Sequence, residues 1–337
     1  MSDIIDKILR DSKSATNTLS DFDPFNDVRG WIPFGVPSLY PFLRIPGFPS
    51  GSVVEICGLE QGGKTTLGWH IVARAQKILK DVLIVILATE RRSRKGYPGV
   101  IGVQEDKCIL ERPKTIEECF STIEYWINET RSKYGKDFPI IFLWDSLGGT
   151  PTKAEAERES DQEFRAVAAR VIKKNLRRLV QVIDDSNTLL IIINQVYEKM
   201  NVTFGGRKTT SYGGRAVKFH STIRMQLDNI GQIKSGTTIV GQKVQFDLLK
   251  CDFSPPKRKV VIPLLFGFGF TLSREDMLLG VEYNLLEKWK TGFMLKSNPN
   301  IKWKSEDEFL KLMIENEKVR FIVHRLFDSR FKNRELL

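Results

Sequence analysis

The sequence has only four cysteines, Cys57, Cys108, Cys119 and Cys251, and no two of them stand at C-x-x-C spacing. That removes the usual signature of a dithiol redox centre or a cysteine-held zinc site. Three sit in apolar strand-like or helix-like stretches, and the set reads as reduced core residues. Long apolar runs are also missing: nothing approaches the roughly 18 residues that a membrane-crossing helix needs. The opening segment MSDIIDKILRDSKSATNTL has no uninterrupted apolar stretch of the signal-peptide kind. The expectation is a cytoplasmic protein with no membrane partner. No internal repeat recurs at a solenoid period. Acidic residues are in the minority, 41 Asp and Glu against 52 Lys and Arg, for a net charge of +11. Such a surplus attracts polyanions, nucleic acid above all, although it equally serves plain solubility.

What is present is a chain of 337 residues with 41% apolar content, enough to bury a full core and to fill roughly two domains. Residues 1 to about 30 begin with a helix-like pattern (Ile4, Ile5, Ile8, Leu9) and then turn polar, which reads as an arm on a linker. From Gly51 apolar strands alternate with amphipathic helices. Strands are expected at Val53–Cys57, Val82–Ala88, Ile140–Trp144 and Thr188–Asn194, with helices after Lys64, near Ile116–Trp126 and near Glu163–Asp184. That alternation predicts an α/β fold with a central, mostly parallel twisted sheet flanked by helices. After Gly214 the pattern is β-rich through Phe270, with turns at Lys234-Ser235-Gly236 and Ser254-Pro255-Pro256-Lys257. A final segment, 272–337, has short helices and Trp289, Phe293, Trp303, Phe309 and Phe321, enough for a small appended α/β lobe. The expected division is an arm at 1–30, a core at 31–271 and the lobe at 272–337.

The segment Gly58-Leu59-Glu60-Gln61-Gly62-Gly63-Lys64-Thr65-Thr66 follows a predicted strand and precedes a predicted helix. This is a P-loop, and it predicts ATP and Mg²⁺ as cofactors. Its glycines let backbone N–H groups curl around phosphates, the helix N-terminus adds its dipole, Lys64 reaches the β and γ oxygens, and the Thr65 hydroxyl ligates Mg²⁺. The strand Ile140-Ile141-Phe142-Leu143-Trp144 ends in Asp145, which suits a carboxylate beside the metal; a capping Asp is the plainer alternative. Hydrolysis also needs a group to orient or deprotonate water. Glu90, closing the strand at the carboxyl edge where ligands bind, is the candidate, against the alternative of an exposed loop glutamate.

With these elements placed, the chain resembles the RecA family of homologous-recombination ATPases, from about Gly30 to Phe331, and the bacterial and bacteriophage members most. The resemblance rests on Val54-Glu55-Ile56-Cys57-Gly58 before Gly63-Lys64-Thr65-Thr66-Leu67, and on Asp145-Ser146-Leu147 through Pro151-Thr152-Lys153-Ala154-Glu155. It rests most on Ser186 through Gln195, followed by Phe204-Gly205 and Gly213-Gly214-Arg215-Ala216-Val217-Lys218-Phe219. It implies a RecA-like core, Glu90 as the catalytic glutamate and Tyr97 stacked on adenine. Gln195 would sense the γ-phosphate and signal to a DNA-binding loop at about Val196–Thr210, and Lys250 would reach a neighbour's γ-phosphate. The implied activity is DNA-dependent ATP hydrolysis in a head-to-tail helical filament on single-stranded DNA, which takes up double-stranded DNA and exchanges strands. A non-catalytic paralogue or a ring-forming helicase on the same core are the rival readings.

The loop itself has the composition of a single-strand binder: Lys199, Arg207 and Lys208 for phosphate, Thr209 and Thr210 for backbone oxygens, and Phe204 to slip between bases, closed by Gly213 and Gly214. An ordinary surface loop is the alternative. The helix before it places Arg165, Arg170, Lys173, Lys174, Arg177 and Arg178 opposite its apolar face, either for DNA or as a solvated surface. Against the bacterial pattern, Asp252 replaces a second lysine after Lys250, Gln226–Asn229 lacks a basic pair, Gln245 replaces an arginine tied to repressor cleavage, and the acidic tail is missing. These departures suggest a divergent or phage-encoded member, then acting in the host cytoplasm, without co-protease activity.

Overall fold

The computed structural model describes residues 28–90, 96–157, 164–198 and 209–332. Almost all of the expected N-terminal arm lies outside these residues, as do Lys199, Phe204, Arg207 and Lys208 of the basic loop.

Strand β1 is Ser52–Gly58, buried along its whole length, and the loop after it opens helix α1, Lys64–Ile78. There follow β2 (Leu83–Ala88), α2 (Tyr97–Ile101), β3 (Cys108–Glu111), α3 (Ile116–Tyr134), β4 (Ile140–Asp145), α4 (Phe164–Asp184) and β5 (Thr188–Glu198). Helix α3 runs past its expected end at Trp126. Its start is fixed by Thr115, whose side chain accepts from the Glu118 N–H, and its end by Gly135 at φ 85°.

Next come β6 (Thr209–Ser211), α5 (Gly214–His220), β7 (Ile223–Ser235), β8 (Thr238–Cys251), β9 (Lys259–Leu265) and β10 (Gly269–Phe270). Helix α5 stands at the start of the stretch expected to be β-rich after Gly214. Gly213, at φ 83°, turns the chain into a short helix that buries Val217. Both expected polar turns are where the sequence put them, at the tip of the β7–β8 hairpin and between β8 and β9.

The ten-stranded sheet has the order β10-β9-β8-β7-β1-β5-β4-β2-β3, with β6 paired to β5. The pairings from β7 through β1, β5, β4 and β2 to β3 are parallel; β7–β8, β8–β9, β9–β10 and β5–β6 are antiparallel. Continuous apolar runs form the central strands because both faces are covered. Leu189, Ile191 and Ile193 of β5 face one core with Leu67, Ile71 and Val72 of α1. Leu190 and Ile192 face the other with Phe120 and Ile123 of α3 and Leu176 and Leu179 of α4.

Beyond residue 271 lie α6 (Arg274–Glu282), the antiparallel strands β11 (Leu286–Trp289), β12 (Gly292–Leu295) and β13 (Asn298–Trp303), α7 (Glu306–Glu315) and α8 (Glu317–Lys332). The three-stranded sheet gives the expected α/β lobe a strand layer. Its core of Trp303, Phe309 and Phe327 is continuous with that of β9 and β10. No described helix is long and apolar enough to cross a membrane.

Candidate nucleotide site and its buried support

Parallel strands carry their functional residues to one edge of the sheet, and register defines that edge here. Gly58 of β1 stands opposite Gln195 of β5, and Ala88 of β2 opposite Asp145 of β4. Glu90 follows two residues after Ala88, so the ends of β1, β2, β4 and β5 bring the P-loop, Glu90, Asp145 and Gln195 together.

The P-loop is pressed against β7. A Cβ built on Gly58 would lie 2.1 Å from the Leu227 carbonyl oxygen, and one on Gly62 would lie 2.9 Å from it. Gln61 takes a positive φ of 59°, and Gly63 one of 85°. Leu59, Glu60 and Gln61 are exposed, while Gln242 of β8 donates from Nε2 to the Gln61 carbonyl at 2.7 Å. This glycine cradle leaves room only for backbone, as phosphate binding requires. Gly58→Ala is expected to destabilise the chain by about 1–3 kcal/mol through overpacking and to weaken nucleotide binding; thermal melting with and without ADP measures both.

Lys64 is buried and its Nζ donates to the Leu59 carbonyl at 2.5 Å. Burial lowers its pKa, opposed by Asp145 and Glu90. Thr65 Oγ1 donates to Asp145 Oδ2 at 2.8 Å. Burial pushes the Asp145 carboxyl up to about 6; the Thr65 hydrogen bond and Lys64 pull against that, and Glu90 adds to it. A desolvated ammonium beside a hydroxyl and a carboxylate is a donor set that suits a polyphosphate and a hard divalent cation. Lys64 would hold phosphate oxygens, and Thr65 and Asp145 would hold Mg²⁺.

Glu90 is exposed, and Ser146 Oγ donates to its Oε1 at 2.6 Å. The peptide between Asp145 and Ser146 is cis. Behind them Trp144 Nε1 donates to Thr150 Oγ1 at 3.2 Å, and Thr150 Oγ1 donates to the Ser146 carbonyl at 2.6 Å. Tyr97, half-buried at the start of α2, has its hydroxyl 3.1 Å from Thr66 Oγ1, which ties α2 to the P-loop helix. Lys250 is not brought to this P-loop. It pairs in register with Arg224, two strands from β1, and its Nζ donates to the Ser221 carbonyl at 2.6 Å beside Asp252 at 3.4 Å.

Of the DNA-contact candidates, Arg170 is exposed on α4, with Lys173 and Lys174 near it. Arg178 is instead committed to Glu124 of α3 through bonds of 2.8 and 2.7 Å. Thr209 and Thr210 lie in β6, and Lys218 Nζ donates to Thr210 Oγ1 at 2.7 Å. Gly213 and Gly214 form the turn into α5, where a Cβ on Gly213 would meet Val217 at 2.7 Å. Glu198 pairs with Thr209, so both ends of segment 199–208 are fixed in the sheet.

The sequence pattern gave no role to a buried cluster formed by the strands that flank this segment in sequence. Glu55 of β1, fully buried, accepts from Asn194 Nδ2 at 2.8 Å and from Arg224 Nε at 2.5 Å. Asn194 also donates to the Tyr212 carbonyl at 2.9 Å, and Arg224 Nη2 to Ser211 Oγ at 3.3 Å. One carboxylate thus joins the P-loop strand to residues on both sides of segment 199–208. The available signal was a charged residue inside each of two apolar strands, Val53-Val54-Glu55-Ile56 and Ile223-Arg224-Met225.

The fold and the site define a P-loop protein built on a predominantly parallel sheet. The family model described as the RecA N-terminal domain matches residues 17–271. "Protein RecA" of Francisella tularensis subsp. tularensis (strain SCHU S4 / Schu 4) is 30% identical over 326 residues, 96% of this chain and 88% of that relative. "Protein RecA" of Francisella tularensis subsp. novicida (strain U112) is 33% identical over 276 residues, 82% and 74% of the respective chains. The chain belongs to the RecA family.

Proposed function

We propose that this chain is a DNA-dependent ATPase of homologous recombination and DNA repair. In this reading it assembles head to tail as a helical filament on single-stranded DNA, takes up duplex DNA and exchanges strands. Residues 1–30 form the arm that docks on a neighbouring core at 31–271, and 272–337 is a small C-terminal domain. The observation that supports this most is the convergence of Lys64, Thr65, Asp145 and a Ser146-held Glu90 on the edge where Gln195 leads toward segment 199–208. In this reading, the strand that carries Gln195 links the hydrolytic residues to the basic segment that follows it in sequence.

Bound Mg²⁺ neutralises phosphate charge. Lys64, whose ammonium now donates to the Leu59 carbonyl, would hold phosphate oxygens, and Thr65 and Asp145, now bonded to each other, would hold the metal. Glu90 orients the attacking water and accepts its proton, with Ser146 fixing the carboxylate. Tyr97 covers the base. Gln195 reports the occupied site to the loop, where Lys199, Phe204, Arg207, Lys208, Thr209 and Thr210 meet single-stranded DNA, supported by Arg170, Gly213 and Gly214. Lys250 acts on the neighbouring subunit's nucleotide.

Phosphate release with and without single-stranded DNA, at one fixed salt concentration, tests the reading, because phosphate-dominated binding varies steeply with salt. DNA-stimulated turnover with filaments in electron micrographs supports it. Absent turnover points to a non-catalytic paralogue, and closed rings to a helicase.

The raised Asp145 pKa gives a pH prediction. A metal-bound carboxylate must be ionised, so below about pH 6 binding has to expel a proton. Affinity for Mg²⁺-nucleotide is expected to weaken as pH falls through that value, by up to about tenfold per unit for one linked proton. Calorimetry in buffers of different ionisation enthalpy detects the released proton. Asp145→Asn removes the protein's share and leaves only that of the nucleotide.

A further inference from the structure

Away from the P-loop edge, a cleft of about 620 Å³ opens between α1, α2, the turn at Gly267–Phe268 and α8. Its charged and titratable lining is of one kind: His70, Arg74 and Lys77 from α1, and Arg320 and His324 from α8. No carboxylate is among the described residues that line it. Residues 70, 74 and 77 recur at helical spacing, so they form one stripe. Lys77 and Arg320 make no ion pair among the described residues. Arg320 is nevertheless held in place, with one N–H given to the Met313 carbonyl at 2.8 Å and its guanidinium 3.9 Å over the Phe268 ring. Most of its donors are left for another acceptor.

The two histidines sharpen the picture. His70 Nε2 accepts from the Phe270 N–H at 2.9 Å, so the neutral ring keeps a proton on Nδ1. His324 Nε2 lies 3.3 Å from Thr271 Oγ1. Burial pushes His70 down to about 3, with His324 acting in the same direction, and pushes His324 down to about 4, with Arg320 and Lys77 adding to the effect. Both rings are thus neutral in a strongly positive field; His70 carries its proton on Nδ1, and the direction of the bond to Thr271 sets which nitrogen of His324 carries its own. Phe268 and an exposed Phe321 supply aromatic surface beside these donors.

We propose that this cleft is a second phosphate site, separate from the P-loop, that takes a small polyphosphate anion of nucleotide size. Its volume falls in the range of small-ligand clefts, about 300–1,000 Å³. Guanidinium and imidazole donors beside an aromatic wall match a phosphorylated ligand. A concave site with its imidazoles set inside favours a compact anion over a DNA backbone, which needs a continuous track. An occupant would sit one side chain from the P-loop, because Phe270, bonded to His70, is the residue that a Cβ on Gly63 would strike at 2.9 Å. None of this depends on the DNA-dependent reading.

The probe is inorganic tripolyphosphate, titrated by calorimetry into the Lys64→Ala chain, in which the P-loop ammonium is gone. Residual binding is expected, weakened tenfold or more by adding Lys77→Ala and Arg320→Ala together. Lys77→Ala alone removes an exposed side chain without touching the core, and is expected to weaken binding about threefold. The chain has only three histidines, so imidazole ¹⁵N–¹H spectra are readily assigned. Tripolyphosphate should shift His70 and His324 and leave His220 unmoved. Absent residual binding, binding indifferent to both substitutions, or a shift at His220 alone would overturn the proposal. So would single-stranded DNA of equal phosphate content displacing tripolyphosphate from this cleft at equal or lower concentration, which would reassign it to a nucleic-acid backbone.

Discussion

Glu90→Gln is expected to cut ATP turnover, with and without single-stranded DNA, by about 10²- to 10⁴-fold, while nucleotide affinity stays within a factor of about three. The substitution keeps the shape and an oxygen that can accept from Ser146, so the hydrogen bond at 2.6 Å survives. What is lost is the group that, in the proposed mechanism, accepts the proton. Glu90 is exposed and touches no P-loop residue in the described hydrogen bonds, which is why binding should be spared. Phosphate release and ADP titration separate the two quantities. An equal fall in both would assign Glu90 to binding, and unchanged turnover would remove it from the mechanism. Ser146→Ala, which frees the carboxylate without removing it, should give a smaller loss than Glu90→Gln.

The second large effect concerns stability. Glu55 is fully buried against Arg224, whose side chain is 11% exposed. Taking away one member leaves the other charged and desolvated, which costs about 3–5 kcal/mol. Glu55→Met is therefore expected to lower the urea midpoint sharply, and Arg224→Met to do the same. The double variant should recover most of the loss, because two apolar side chains replace a buried pair without stranding a charge. That recovery makes it a useful tool. It folds, yet it lacks the tie from β1 to Asn194 and Ser211 on either side of segment 199–208. If that tie transmits nucleotide state, the double variant hydrolyses ATP at the unstimulated rate and responds poorly to single-stranded DNA. Full stimulation would limit Glu55 and Arg224 to holding the sheet together.

The sequence made the central strands and their sidedness legible because they are buried on both faces, so Thr188-Leu189-Leu190-Ile191-Ile192-Ile193 could only be interior. The P-loop, Asp145 and Glu90 were legible for a related reason: a strand that ends in a polar residue must deliver it to the sheet edge. Helix α5 was not, since Gly213-Gly214 signals a turn as readily as a helix start, and only φ of 83° at Gly213 and the burial of Val217 decide it. Gln242 reaches Gln61 across 181 positions of sequence, and that contact depends on the register of the β7–β8 hairpin, which no local pattern encodes. The Glu55 cluster was half visible. A charge in an apolar strand announces a buried partner but does not say which one, and Arg224, Asn194 and Ser211 come from three other strands. Arg178 shows the converse: on a helical wheel it is one of a row of equivalent cations, and only packing against α3 gives it to Glu124.

The chain of bonds behind Glu90 has a practical side. Trp144 is buried without exposed ring surface, yet its indole N–H is linked through Thr150 to the Ser146 carbonyl, and Ser146 in turn holds Glu90. Indole emission responds to the polarity around the ring and to the bond its N–H makes. Trp144 is one of six tryptophans, so with the other five replaced its emission becomes an optical gauge one residue from Asp145, and rearrangement around Asp145, Ser146 and Glu90 can then be followed in real time without attaching a dye.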